Sequence, residues 1–126
     1  MKVLVVIFVM ISVTAAKITD DYLSKTFKSC GASYGGPNSI FKLVVGPNPD
    51  IQTLGQKALC VDIKTGATNE NGDINKTVTR EFIMFFTGGN KEKADKVVKS
   101  CTKRAGVTPE VASFYFWRCG RLIVDN

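Results

Sequence analysis

Apolar residues along this chain recur at three- and four-residue spacing, and no run alternates with period two long enough to suggest a strand. The pattern predicts six short helices. Thr19 is a natural N-cap for the first, with Asp20 and Asp21 in the turn where carboxylates meet the positive end of the helix dipole. Leu23, Phe27 and Cys30 share one face of it, and Gly35-Gly36-Pro37 ends the unit. A second helix runs from about Asn38 to Val45 with Ile40, Phe41, Val44 and Val45, closed by the Gly46-Pro47-Asn48-Pro49 turn. Asp50 opens a third, in which Ile51, Leu54, Ala58 and Val61 form a stripe flanked by Leu59 and Ile63, with Cys60 inside it. Gly66 stops that helix, and the polar stretch from Ala67 to Asp73 reads as a loop.

The second half of the chain is more apolar. From about Asn75 a fourth helix carries Val78, Phe82, Ile83, Met84, Phe85 and Phe86 before Thr87-Gly88-Gly89 ends it. The fifth is amphipathic, with Ala94, Val97, Val98, Cys101 and Ala105 opposite Lys91, Lys93, Lys96, Lys99, Lys103 and Arg104, and is predicted to lie on the surface. Pro109 begins a sixth, where Val111, Ala112, Phe114, Tyr115, Phe116 and Trp117 leave almost no polar face before Cys119. A helix apolar on all sides belongs in the middle of a bundle. After Cys119, Leu122-Ile123-Val124 is expected to pack back as an extended flap.

The first residues of the chain carry a different pattern. Lys2 precedes an apolar run from Val3 to Val13, broken only by Ser12, and then the small residues Thr14, Ala15 and Ala16. The run is too short to span ~30 Å of hydrocarbon as a helix and reads as a signal peptide, residues 1–16. Cleavage is expected after Ala16, with Ala15 as the alternative, leaving one domain over residues 17–126. Export sets the oxidising context for Cys30, Cys60, Cys101 and Cys119, an even number that argues for disulfides over catalytic thiols. Four cysteines allow three pairings, which the residues alone do not rank.

Composition excludes much chemistry. The chain has no histidine and no CxxC pair, so neither a typical zinc site nor Ser-His-Asp or Cys-His nucleophilic catalysis can be assembled. The 11 acidic residues lie scattered among lysines and turn residues and are expected to be solvated, and the glycine doublets read as loops rather than phosphate cradles. No enzyme activity, metal or cofactor is expected. A formal net charge of +6 and the lysine-rich fifth helix raise nucleic acid or a membrane surface as partners. No exposed aromatic residues interleave with the charges for base stacking, so a solvated face is the expectation, and nucleic acid is not expected. Asn75-Lys76-Thr77 is an N-glycosylation sequon at the predicted start of the fourth helix.

Leader, cysteine spacing and helix count together resemble the insect odorant-binding proteins, the pheromone and general odorant-binding family, in its four-cysteine minus-C subgroup. The gaps between cysteines are 29, 40 and 17 residues, and the positions where six-cysteine members hold their second and fifth cysteines are Gln56 and Glu110. The segment Cys60 to Gly66, followed by Asn69-Glu70-Asn71-Gly72-Asp73-Ile74, is similar to the family's cysteine helix, glycine stop and acidic-glycine loop. The basic charge departs from the many acidic members. The resemblance implies pairing of Cys30 with Cys60 and of Cys101 with Cys119, and an all-α, compact bundle of about six short helices around an apolar cavity. It further implies a secreted, extracellular carrier of small hydrophobic molecules such as odorants or pheromones, a monomer or weak homodimer, with a chemosensory receptor or a membrane surface as further partner.

Eight phenylalanines, one tryptophan and three tyrosines supply the aromatic material for such a cavity. Its expected wall is Phe27, Leu54, Ala58, Phe82, Ile83, Phe86, Val98, Phe114 and Trp117, with Tyr115 as a hydrogen-bond donor. The missing bridge between Gln56 and Glu110 predicts that the third and sixth helices separate more easily. Two other functions compete with odorant transport. A salivary or venom-type scavenger of the same fold would need an acidic pocket for amines, and no carboxylate sits plainly on an apolar face. A basic membrane-active defence protein would rest on the charge of the fifth helix.

Overall fold

The computed structural model describes residues 18–44, 50–103 and 107–125. The leader and its cleavage site, Val45 with the following Gly/Pro turn, and Arg104 with Ala105 lie outside the described residues. The described chain forms α1 (Asp20–Ser29), α2 (Ser39–Lys42), α3 (Ile51–Thr65), α4 (Lys76–Phe86), α5 (Lys91–Cys101) and α6 (Pro109–Val124). There is no strand among the described residues, only an isolated antiparallel bridge between Thr68 and Ile74. The protein is an all-α bundle.

Local chemistry sets the helix boundaries. Thr19, Asp50, Asn75, Asn90 and Thr108 each accept a hydrogen bond from the backbone N–H three residues on, satisfying a donor that the first turn cannot. Gly66 ends α3 in the left-handed region at φ 84°, where a side chain would be strained. Two boundaries differ from expectation. The second helix is a single turn over Ser39–Lys42, stabilised as the Ser39 hydroxyl accepts from Gly35 N–H and donates to the Gly36 carbonyl. The extended flap after Cys119 does not form, because α6 continues as helix through Val124. Two contacts favour the helical ending: Lys93 donates to the Val124 carbonyl at 2.6 Å, and Arg121 pairs with Asp125 one turn on.

Helix α6 is the organising element. It packs most extensively on α3 and also against α5 and α2, while α4 lies on α5 and α1 on α3. Its inner face holds Phe114, Phe116 and Trp117, buried with Leu23, Phe27, Ile40, Phe82, Ile83 and Val97 in one continuous core. Contrary to the all-round apolar pattern, α6 also keeps an outer face, since Tyr115 is 48% exposed and Arg118 is exposed with its guanidinium over the Phe114 ring. Val98 and Leu54 are half-buried.

Two disulfides staple the bundle, Cys30–Cys60 from the end of α1 to α3 and Cys101–Cys119 from the end of α5 to α6. In the chain-entropy account, closing loops of 30 and 18 residues stabilises by about 3 to 4 kcal/mol each, large beside a small domain's net stability. Between α3 and α6, where no bridge exists, the backbones themselves approach. Any Cβ placed on Gly55 would collide with the carbonyl of Glu110. The pair expected to separate is therefore the most extensively packed in the bundle, and glycine is what allows it.

Candidate ligand pocket

One side of α6 is sealed. Trp117, 1% exposed, sits among Phe41, Phe82, Phe86 and Phe116, with ring centroids 5.7, 6.3, 6.0 and 4.9 Å away, mostly edge to face. Phe27 packs on Tyr34, whose hydroxyl donates to Asp20 and fastens the loop after α1 back onto that helix. Most of the expected cavity wall therefore lies in close packing. Phe27, Ala58, Phe82, Ile83, Phe114 and Trp117 are buried against other side chains, with Leu54, Phe86 and Val98 at their margins. Of the expected residues, Tyr115 lines the pocket described next.

That volume, about 260 Å³, opens on the other side of α6, where the helix faces the C-terminal end of α5 and the loop between α3 and α4. Its apolar wall is Ile74, Val107, Ala112, Tyr115, Phe116 and the Cys101–Cys119 bridge. Its polar lining is Asp62, Thr68 and Ser113, with Ser100, Thr102 and Lys103 from the end of α5 and the residues just after it. The loop is held in shape by its own hydrogen bonds. Asn69 Oδ1 accepts from the N–H of Asn71 and of Asp73, both at 3.0 Å, and Thr68 N–H donates to the Asp62 carbonyl at 3.2 Å.

Asp62 corrects the expectation that the carboxylates are solvated. It is 1% exposed, and its carboxylate accepts from Ser113 Oγ at 2.7 Å and from Trp117 Nε1 at 2.9 and 3.0 Å. Burial pushes its pKa up to about 7, against the two hydrogen bonds, which favour the charged form and pull it down. The sequence did hold a signal. Ala58, Asp62 and Thr65 are spaced i, i+4 and i+7, so an acidic residue stands on the face that α3 turns inward. Asn75, by contrast, is exposed at the N-cap of α4, its Oδ1 accepting from Val78 N–H.

Six helices and two bridges agree with one comparison. The chain matches the sequence profile of the PBP/GOBP family over residues 14–121. It belongs to the PBP/GOBP family. This is the insect odorant- and pheromone-binding family, whose members are small secreted binding and carrier proteins, and the resemblance read from the cysteines is that family. No curated protein and no solved structure matches the chain. As a PBP/GOBP protein it holds four cysteines, all of them paired. No helix among the described residues is long and apolar enough to cross a membrane. No group of residues suited to a metal occurs among them.

Proposed function

We propose that this protein is a minus-C odorant-binding protein, a secreted carrier that takes small hydrophobic molecules into the pocket beside α6 and moves them through an aqueous secretion. The observation that carries this reading is the pocket itself. In a bundle of a carrier family, it is a partly open, mainly apolar cleft with a few polar groups among its lining, the make-up of a small-molecule site. Its volume suits a molecule smaller than a typical drug. Burying ~300 Å² of such a ligand contributes ~7 kcal/mol before the entropy of binding is charged, which points to micromolar affinity.

The aromatic cluster around Trp117 forms the wall behind the pocket, and larger cargo would have to part Phe82 and Phe86 from it. The disulfides keep that wall in register. The test is titration of the oxidised protein with a fluorescent anilinonaphthalene, followed by displacement with a panel of volatiles. Saturable micromolar binding that some panel members displace is the expected result. Failure of the folded protein to bind the probe would remove the carrier reading and turn attention to the basic face of α5.

A further inference from the structure

Two buried groups at the deep end of the pocket have unmet chemistry. The first is Asp62, a carboxylate withdrawn from water whose side-chain partners, Ser113 and Trp117, are neutral donors. Both donors favour the ionised carboxylate, yet neither balances its charge, and an unbalanced buried charge is costly. The second is Thr68, 8% exposed, whose Oγ1 has no hydrogen-bond partner among the described residues. A hidden hydroxyl without a partner is rare in folded proteins and asks for an explanation. Both residues line the same cavity, and Thr68 is tethered to Asp62 through its backbone N–H.

A ligand that resolves both defects must bring positive charge and hydrogen-bond donors. An ammonium group does so, since it brings the charge and three donors, which the Asp62 oxygens and the Thr68 hydroxyl oxygen can accept. A hydroxyl or carbonyl head could bond to the Thr68 hydroxyl, which donates as well as accepts, but would leave the Asp62 charge unbalanced, and a carboxylate head would add a second negative charge. The rest of the wall suits an apolar tail, with the Tyr115 and Phe116 rings placed to attract a cation as well. Lys103 is exposed, and its long stem lets its charge stay in water at the rim.

We propose that this pocket takes a small primary amine as its ammonium cation, the head between the Asp62 carboxylate and the Thr68 hydroxyl and the tail along Ile74, Val107 and Phe116. The assignment rests on the carrier reading and names its cargo class. It reverses the order expected from the sequence, where amines ranked below neutral ligands for want of a carboxylate on an apolar face.

Isothermal titration of the oxidised protein with 2-phenylethylamine and with 2-phenylethanol, which share a tail and differ in the head, tests it. The amine binds at least about tenfold more tightly at pH 7, the scale of one charged hydrogen-bonded contact. Its binding also expels protons, read from buffers of different ionisation enthalpy, because burial raises the Asp62 pKa to about 7 and the cation holds the carboxylate ionised. The other titratable groups lining the pocket are Tyr115 from α6 and Lys103 beyond the end of α5. Asp62→Asn, which keeps the shape but removes the charge and turns one acceptor oxygen into an N–H donor, abolishes the preference for the amine over 2-phenylethanol. Should that variant not fold, Thr68→Val together with the proton release carries the test, the valine lowering amine affinity more than that of 2-phenylethanol.

Equal affinities for the two probes, or a preference that survives Asp62→Asn, overturn the assignment. The two readings fail differently. Binding of the anilinonaphthalene without amine preference removes the amine assignment alone, whereas no binding of any of the three compounds removes the carrier reading with it.

Discussion

The two sides of α6 face the same bundle and are built on opposite terms. Around Phe82, Phe86 and Trp117 the space is filled by aromatic rings that satisfy one another, and the only polar atom of the tryptophan is absorbed by Asp62. Across the helix, around Ser113 and Tyr115, the neighbouring elements stand off, and the gap is floored by a buried carboxylate and an orphaned hydroxyl. The first side does the holding, and the second is the proposed binding side. Asp62 belongs to both, since it anchors the indole and lines the gap.

Trp117→Ala should break the contrast most severely. It removes the centre of the aromatic cluster and leaves the Asp62 carboxylate with one donor fewer, so a loss of about 3 to 5 kcal/mol is expected in denaturant unfolding. A loss below about 1 kcal/mol would mean that the cluster is not the stabilising side.

The next effect is in pH. Asp62 has its pKa raised to about 7 in the folded protein, whereas in the unfolded chain it titrates near the ordinary value of about 4. Between those two values the folded state holds the proton that the unfolded state has released. The contribution of Asp62 to stability is therefore fully present below about pH 4, falls by up to roughly 1.4 kcal/mol per pH unit as pH rises through the window, and is lost by about pH 7 to 8. Asp62→Asn should flatten that slope. An unchanged slope in paired pH series of denaturant midpoints would show that the carboxylate is less buried than the geometry places it.

The smallest effect distinguishes the two sides most sharply. Thr68→Val exchanges an unpartnered hydroxyl for a methyl of similar shape, so stability should hold or rise by up to about 1 kcal/mol, although buried polar substitutions usually cost. Destabilisation by more than about 1 kcal/mol would mean that the hydroxyl is satisfied within the protein.

Much of the bundle was legible in the chain because its signals are local. Caps at Thr19, Asp50 and Asn75, the stop at Gly66 and the proline opening α6 act within a turn of where they stand, and the structure places helix ends at each. The helical run past Cys119 was missed because its ending depends on Lys93, thirty-one residues earlier, reaching Val124. The pocket was harder for the same reason. Nothing near Asp62 distinguishes a buried acid from a solvated one, since Ser113 and Trp117, which receive it, lie 51 and 55 residues away. Aromatic residues could be recognised as interior, but their side-chain type does not say whether an interior ring packs on another ring or on a cavity.

Trp117 is the only tryptophan in the chain, and its indole N–H ends on Asp62. The molecule thus carries one intrinsic optical gauge, wired to a carboxylate whose pKa burial raises to about 7. Its emission is sensitive to the charge on that carboxylate and to anything that enters beside it. Cargo loading can then be followed in the unlabelled, unmodified protein as a change in a single emission band, resolvable in time by rapid mixing.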